Sequence, residues 1–248
     1  MMHSMLMGTL ARRLTLLVAA SCWYAYHQIG VNVNGSAGPP PRGWGHGPFL
    51  DGLHSALAEV KVSRTGMPTP EYLRVAYALI SIFDSLPGLV AVKSDMIGNA
   101  DKIWRRQNSL PGATLQQLCA FELEGPAREE VLYPRGRDGT VCTSLLWLQR
   151  ALRLVETMLS EFVRGQPVRD SVAIAYGRTL KRHHNFMMRG AFGVAINAAP
   201  SRKEFLRRIS AGMSEERAMR VLAKLTPEMS KVTEHVHSFL VQAGVEAR

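Results

Sequence analysis

The stretch Thr143-Ser144-Leu145-Leu146-Trp147-Leu148-Gln149-Arg150-Ala151-Leu152-Arg153-Leu154-Val155-Glu156-Thr157-Met158-Leu159-Ser160-Glu161-Phe162-Val163 decides the fold. At 100° per residue, Leu145, Leu148, Leu152, Val155, Leu159 and Phe162 form one apolar stripe. Trp147, Ala151, Leu154 and Met158 form a second. A helix that is apolar on two sides must be covered on both, so it belongs at the centre of its fold.

Outward from that helix the periodicity stays helical, with no alternating strand run and no internal repeat. The spacing predicts helices over 49–60, 71–86, 90–104 and 114–123. Pro87-Gly88 stops the second of these, and Thr114 stands where an N-cap is wanted. Residues 64–70 and 125–139 read as loops. A long helix over 170–199 follows, ending before Pro200, with Leu180, His184, Met187, Ala191 and Val194 on its inner face. Shorter helices over 205–209 and 215–225 precede a last one over 227–243, closed by Gly244. The expected architecture is an all-α domain of about eight helices over residues 49–248.

The chain has 248 residues, 46% of them hydrophobic and 20% charged, which is ordinary globular composition. Its formal net charge is +10, which suits an anionic membrane surface or nucleic acid. The supports that nucleic-acid binding would need are missing: no zinc-ligand spacing, no Gly-rich aromatic sheet motif and no heptad-linked basic region. No nucleic-acid partner is expected. Residues 1–48 differ from the rest. The first acidic residue is Asp51, and Arg12-Arg13 precedes an apolar run over 14–26. That run is short for a membrane span, which needs about 20 residues. It reads as a signal-peptide core, with a signal anchor or an organellar presequence as the other options. A Gly/Pro-rich linker over 35–48 joins it to the domain. Secretory, membrane-anchored and organellar placements all stay open on these residues.

One helix edge proposes a chemistry. Asp95, Asn99 and Lys102 fall within a narrow arc, beside the apolar stripe of Val92, Met96, Ala100 and Ile103. The row sets out an acceptor, an amide that both donates and accepts, and a cationic donor. With a flat aromatic surface added, it suits a polyhydroxylated head group. Taken singly, the row is a solvated helix edge, Trp147 a core residue and His184 a satisfied core histidine. His183-His184 and His235-x-His237 have no carboxylate or cysteine at ligand spacing, so no metal is expected. The three cysteines, Cys22, Cys119 and Cys142, form no C-x-x-C pair and read as reduced thiols. His184 with Asp95 could be drawn as a hydrolase base pair. The chain has no G-x-S-x-G elbow and no Cys/His nucleophile context, so no catalysis and no cofactor are expected.

Four segments together resemble the glycolipid transfer proteins. They are Gly47-Pro48-Phe49-Leu50, the run Lys93-Ser94-Asp95-Met96-Ile97-Gly98-Asn99-Ala100-Asp101-Lys102-Ile103, Leu146-Trp147-Leu148-Gln149-Arg150, and His184 followed by Phe192 and Ala198-Ala199-Pro200. They occur in the family's order over residues 47–248. The resemblance implies a two-layer helical sandwich that carries one sphingolipid between membranes as a monomer, docking peripherally on a cytoplasmic or membrane-associated site. It implies that Asp95, Asn99 and Lys102 hydrogen-bond the sugar, that Asp95 also takes the ceramide amide N–H, and that the sugar stacks on Trp147. His184 would donate to the ceramide carbonyl, and Phe186 falls where the family carries a membrane-docking aromatic.

Moving roughly 30 ceramide methylenes into water would cost on the order of 20 kcal/mol, at about 0.8 kcal/mol each. A carrier therefore needs an apolar sleeve, for which Leu86, Leu89, Val92, Leu154, Met158, Leu180, Phe192, Phe205 and Ile209 are the candidates. The family's second branch carries phosphorylated ceramide. By the same resemblance it has a lysine in place of Asn99 and arginines in place of Thr143 and Trp147. Neutral residues at all three positions favour a sugar over a phosphate. A phosphosphingolipid carrier and a membrane-tethered sphingolipid sensor are the alternatives. Two features depart from the family pattern: the apolar N-terminal run, and the lack of a counterpart to the C-terminal tyrosine.

Overall fold

The structure, a computed structural model, describes residues 48–125, 128–132 and 140–246. The N-terminal apolar run and the linker up to Gly47 lie outside the described residues. The regular structure of the described residues is helical, apart from two isolated bridges at Ser63–Gly66 and Pro68–Thr114. In chain order the helices are α1 (Phe49–Glu59), α2 (Thr69–Ile80), α3 (Val90–Ser109), α4 (Leu115–Leu123), α5 (Arg128–Leu132), α6 (Val141–Val163), α7 (Val168–Arg178), α8 (Phe186–Ile196), α9 (Arg202–Ile209) and α10 (Glu215–Gln242). Short 3-10 turns at Ser81–Ser85 and Pro87–Leu89 link α2 to α3, and a third at Lys181–His183 precedes α8.

Helix α6 is the centre, as its two stripes require. It packs on α2, α3, α4, α7 and α10, while α1 packs on α2 and α10. Leu145, Leu148, Leu152, Val155 and Leu159 are fully buried, and so is Leu154 on the second stripe. The start of α6 is pinned twice. The Glu122 carboxylate accepts the amides of Val141 and Cys142, each at 2.8 Å, and the Thr140 hydroxyl accepts the amide of Thr143 at 3.1 Å. Orphan amides at a helix start favour a carboxylate there. The fold is all-α, as the sequence predicts, and the helix α4 opens on Thr114 in a reciprocal capping box with Gln117.

The helix expected over 71–86 ends as α2 at Ile80 and gives way to the 3-10 turn at Ser81–Ser85, and three further elements differ from the sequence expectation. Residues 170–199 are not one helix. The chain leaves α7 at Thr179, makes the Lys181–His183 turn, becomes extended at His184 (φ −95°, ψ 137°) and restarts at α8. The restart is capped by Asn185, whose side chain accepts the Met188 amide at 2.9 Å. That break moves Met187 and Val194 from the expected inner face to solvent, where they are 74% and 42% exposed. Conversely, 215–225 and 227–243 are one helix, α10, which runs through Pro227. Proline has no amide to give the Ala223 carbonyl, and the Thr226 hydroxyl donates to that carbonyl instead, at 3.5 Å. Finally, the segment over 125–139 holds the short helix α5. Among the described residues no helix is long and apolar enough to cross a membrane.

Candidate functional site

Helix α3 carries the polar row. Its inner residues Met96, Ala100 and Ile103 are fully buried, so the row stands at the edge of the core. The Asn99 side-chain amide donates to the Asp95 backbone carbonyl at 3.0 Å and to the Asp95 carboxylate at 3.2 Å. Those two bonds orient the amide and tie the two side chains into one unit. Asp95 is open to solvent on one side. Protein mass on its other sides pushes its carboxyl above the usual aspartate range, and the Lys102 ammonium opposes that shift. Asp101 is close in sequence but serves another purpose. Its carboxylate accepts the Tyr77 hydroxyl and holds α2 to α3. Asp95 is therefore the carboxylate of the row.

Trp147 is half-buried on α6, which packs directly on α3. The Arg150 guanidinium lies 4.9 Å from its ring centroid, and the His183 ring meets it edge-on with centroids 6.1 Å apart. Thr143, one turn earlier, is buried at the α6 cap, its hydroxyl 3.1 Å from that of Thr140.

His184 occupies the extended break before α8 and is half-buried. Its Nδ1 shares a 3.1 Å hydrogen bond with the Tyr176 hydroxyl. Tyr176 in turn stacks on Phe192, with ring centroids 3.9 Å apart and planes 8° apart. Burial lowers the His184 pKa, with the nearby Arg189 charge adding to the effect, so the imidazole is neutral near pH 7. Burial raises that of Tyr176, which keeps its proton. A tyrosine hydroxyl donating to Nδ1 leaves the imidazole proton on Nε2, which is then a hydrogen-bond donor.

The structure thus joins Asp95 with Asn99, Trp147 with His183 and Arg150, and His184 with Tyr176. The packing of α3 on α6, and of α6 on α7, connects these groups. Of the sleeve candidates, Leu86, Leu89, Leu154, Met158, Leu180, Phe192, Phe205 and Ile209 are buried, and Val92 packs against the core while partly exposed. Phe205 meets Phe162 edge-to-face at 5.0 Å. Phe186 is 92% exposed at the start of α8.

Sequence reasoning missed Tyr176 and the pairing of Arg150. On an unbroken helix, Tyr176 and His184 would stand about 80° apart, so periodicity does not join them. Arg150 pairs with Glu246, far along the chain, and no local signal marks that.

The family model described as "Glycolipid transfer protein (GLTP)" matches residues 67–211. A glycolipid transfer protein of Aureobasidium melanogenum is 31% identical over 208 residues, covering 82% of this chain and 96% of that protein. Pleckstrin homology domain-containing family A member 8 of Canis lupus familiaris is 29% identical over 182 residues, 69% of this chain. The match spans 34% of that relative's own length. Among solved structures, that of FAPP2, which selects simple glycosphingolipids using the GLTP fold, superposes with TM-score 0.70 at 25% identity, over 81% of this chain and 98% of that one. Mouse ceramide-1-phosphate transfer protein shares the fold, with TM-score 0.70 at 22% identity over 80% and 98% of the two chains. With the row on α3, the tryptophan on α6 and the histidine before α8 all set in this helical fold, the chain belongs to the glycolipid transfer protein family.

Proposed function

We propose that this protein is a non-enzymatic carrier that moves glycosphingolipids between membranes. It would bind the sugar at Asp95, Asn99, Lys102 and Trp147, the ceramide amide at Asp95 and His184, and the two chains among the buried apolar residues. The observation that carries this reading is the Asp95–Asn99 pair, a neutral amide oriented by two bonds to its neighbour. Sugar hydroxyls both donate and accept, so an amide, a carboxylate and an ammonium in one row meet them with both kinds of partner. A phosphate accepts only and would want point charges or guanidinium forks there.

Where the Tyr176 hydroxyl donates to Nδ1, the neutral His184 imidazole carries its proton on Nε2 and can donate to an amide carbonyl, as the same reading requires. A site built to pair such groups rejects a ligand that leaves them unpaired. The start of α8 supports peripheral docking on a membrane. Phe186, Met187 and Met188 are 92%, 74% and 49% exposed, with exposed Lys181, Arg182 and Arg189 beside them. Apolar tips flanked by cations suit the interface of an anionic bilayer.

The test is transfer of labelled glucosylceramide between phosphatidylcholine vesicles, with the lipid's mass checked afterwards. The full chain should move the lipid unchanged. Trp147→Ala should abolish the movement, and Asn99→Ala should slow it by about tenfold, the worth of one or two hydrogen bonds. Full transfer by Trp147→Ala, or a lipid of altered mass, overturns the reading.

A further inference from the structure

One guanidinium, that of Arg150, lies against Trp147 and a second, that of Arg182, bonds the neighbouring His183; both face one carboxylate near the end of the described chain. Arg150 Nε donates to Glu246 Oε2 at 2.7 Å and its terminal nitrogen donates to Oε1 at 3.0 Å, a two-pronged pair. Arg182 reaches the same Oε1 at 4.0 Å. The Glu246 side chain is only 2% exposed and that of Arg150 only 14%. Arg150 is also the cation 4.9 Å from the Trp147 ring, and Arg182 donates at 3.0 Å to His183, the ring that meets Trp147 edge-on. The backbone delivers Glu246 deliberately. Gly244 takes φ +73°, a left-handed geometry natural to glycine, and the Val245 and Glu246 amides both donate back to the Leu240 carbonyl at 2.9 and 3.1 Å.

Arginine forks beside a head-group site are what a phosphate or sulfate ester would seek. Here the fork nearest the tryptophan is already filled by a buried carboxylate. An anionic head group would have to displace that carboxylate or lie beside it, like charge against like charge. A neutral sugar meets no such repulsion. We propose that Glu246 is a specificity-determining residue, which excludes anionic sphingolipid head groups from the Trp147 platform by occupying Arg150 and Arg182. This rests on the head-group reading given above. Specificity of this kind works by repulsion of the wrong ligand as much as by attraction of the right one.

The test uses the full chain and vesicles carrying either labelled glucosylceramide or labelled ceramide-1-phosphate, and reads the ratio of the two transfer rates. Glu246→Gln should raise ceramide-1-phosphate transfer relative to glucosylceramide by about tenfold, since close charge pairs at an interface carry couplings of that size or more. Adding Arg150→Gln to Glu246→Gln should cancel the gain. A purely structural role would lower both rates together and leave the ratio alone. Glu246→Asp keeps the charge but withdraws it by one methylene, and should fall between wild type and Glu246→Gln. Should Glu246→Gln fail to fold, Glu246→Asp carries the test. A ratio unchanged in whichever variant folds, while wild type moves glucosylceramide, overturns the role of Glu246 alone. Wild-type protein that moves neither lipid overturns the head-group reading and this inference with it.

Discussion

At the scale of single residues, Asp95 combines a proposed binding role with a cost to the fold. Its pKa is raised by the surrounding protein, so the folded chain holds the Asp95 proton more tightly than the unfolded chain does. Stability from that group is present at low pH and is lost as pH rises through the folded pKa. At neutral pH the ionised carboxylate is therefore unfavourable to folding, though solvent on one side keeps the effect small. Asp95→Asn should raise the thermal midpoint at pH 7 by about 1–2 °C. The gain should shrink below pH about 4, where an ordinary aspartate is itself protonated. The asparagine oxygen still accepts from Asn99, so that bond is not the variable. Glucosylceramide transfer should fall in the same variant. A lower midpoint at pH 7 would show instead that the attraction of Lys102 outweighs the loss of solvent. The Asp95, Asn99 and Lys102 row was legible in the sequence because it lies within one unbroken helix, where 100° per residue places side chains reliably. Tyr176 and Glu246 were not. The first is joined to His184 across a helix break, and the second to Arg150 across much of the chain.

At the scale of elements, the break between α7 and α8 shapes the site more than any other local feature. It places His184 in an extended backbone instead of on a helix face, and it turns Phe186 and Met187 outward. The helical period runs from Leu180 to Met187 only if His184 is counted on the inner face across the polar run 181–185, which is how residues 170–199 read as one helix. The signal that was present is Asn185, a good cap whose side chain takes the Met188 amide. The opposite error at Pro227 has the same origin: a local breaker was repaired by its neighbour Thr226, and tertiary packing kept α10 whole. Asn185→Ala should destabilise the start of α8 by about 1 kcal/mol, the usual worth of a cap. Hydrogen exchange should speed up at the amides of Met188 and Arg189 while those of α6 stay protected. Vesicle-to-vesicle transfer should slow with it, because the apolar tips proposed to enter the membrane are held by that first turn. Unchanged exchange at Met188 would show that packing of α8 on the Pro87–Leu89 turn, and not the cap, orders the helix. That packing is close: a Cβ on Gly88 would stand 2.4 Å from the Ala195 carbonyl oxygen.

At the scale of the whole domain, the proposed function asks the same apolar residues to serve two states. Without lipid they are core. Leu154, Phe205 and Ile209 are 0–1% exposed and belong to the same buried cluster as the rest of the interior. With lipid, on the proposed reading, they are the wall of a sleeve. A protein interior is densely packed, so the chains can enter only where side chains yield, and the methylenes they bring replace the contacts they break. This sets sleeve residues apart from ordinary core residues by an observable difference. Phe205→Ala removes the partner of Phe162 and should cost about 3–5 kcal/mol, or roughly 10 °C in the thermal midpoint of the lipid-free protein. Leu73→Ala on α2, at a site equally buried, should cost about 2–5 kcal/mol. Glucosylceramide with a long acyl chain should restore a good part of the Phe205→Ala loss, because the chain can fill the vacated volume. It should restore none of the Leu73→Ala loss beyond the stabilisation that binding gives wild type. Equal recovery in the two variants would mean that Phe205 is plain core and that the acyl chains lie elsewhere.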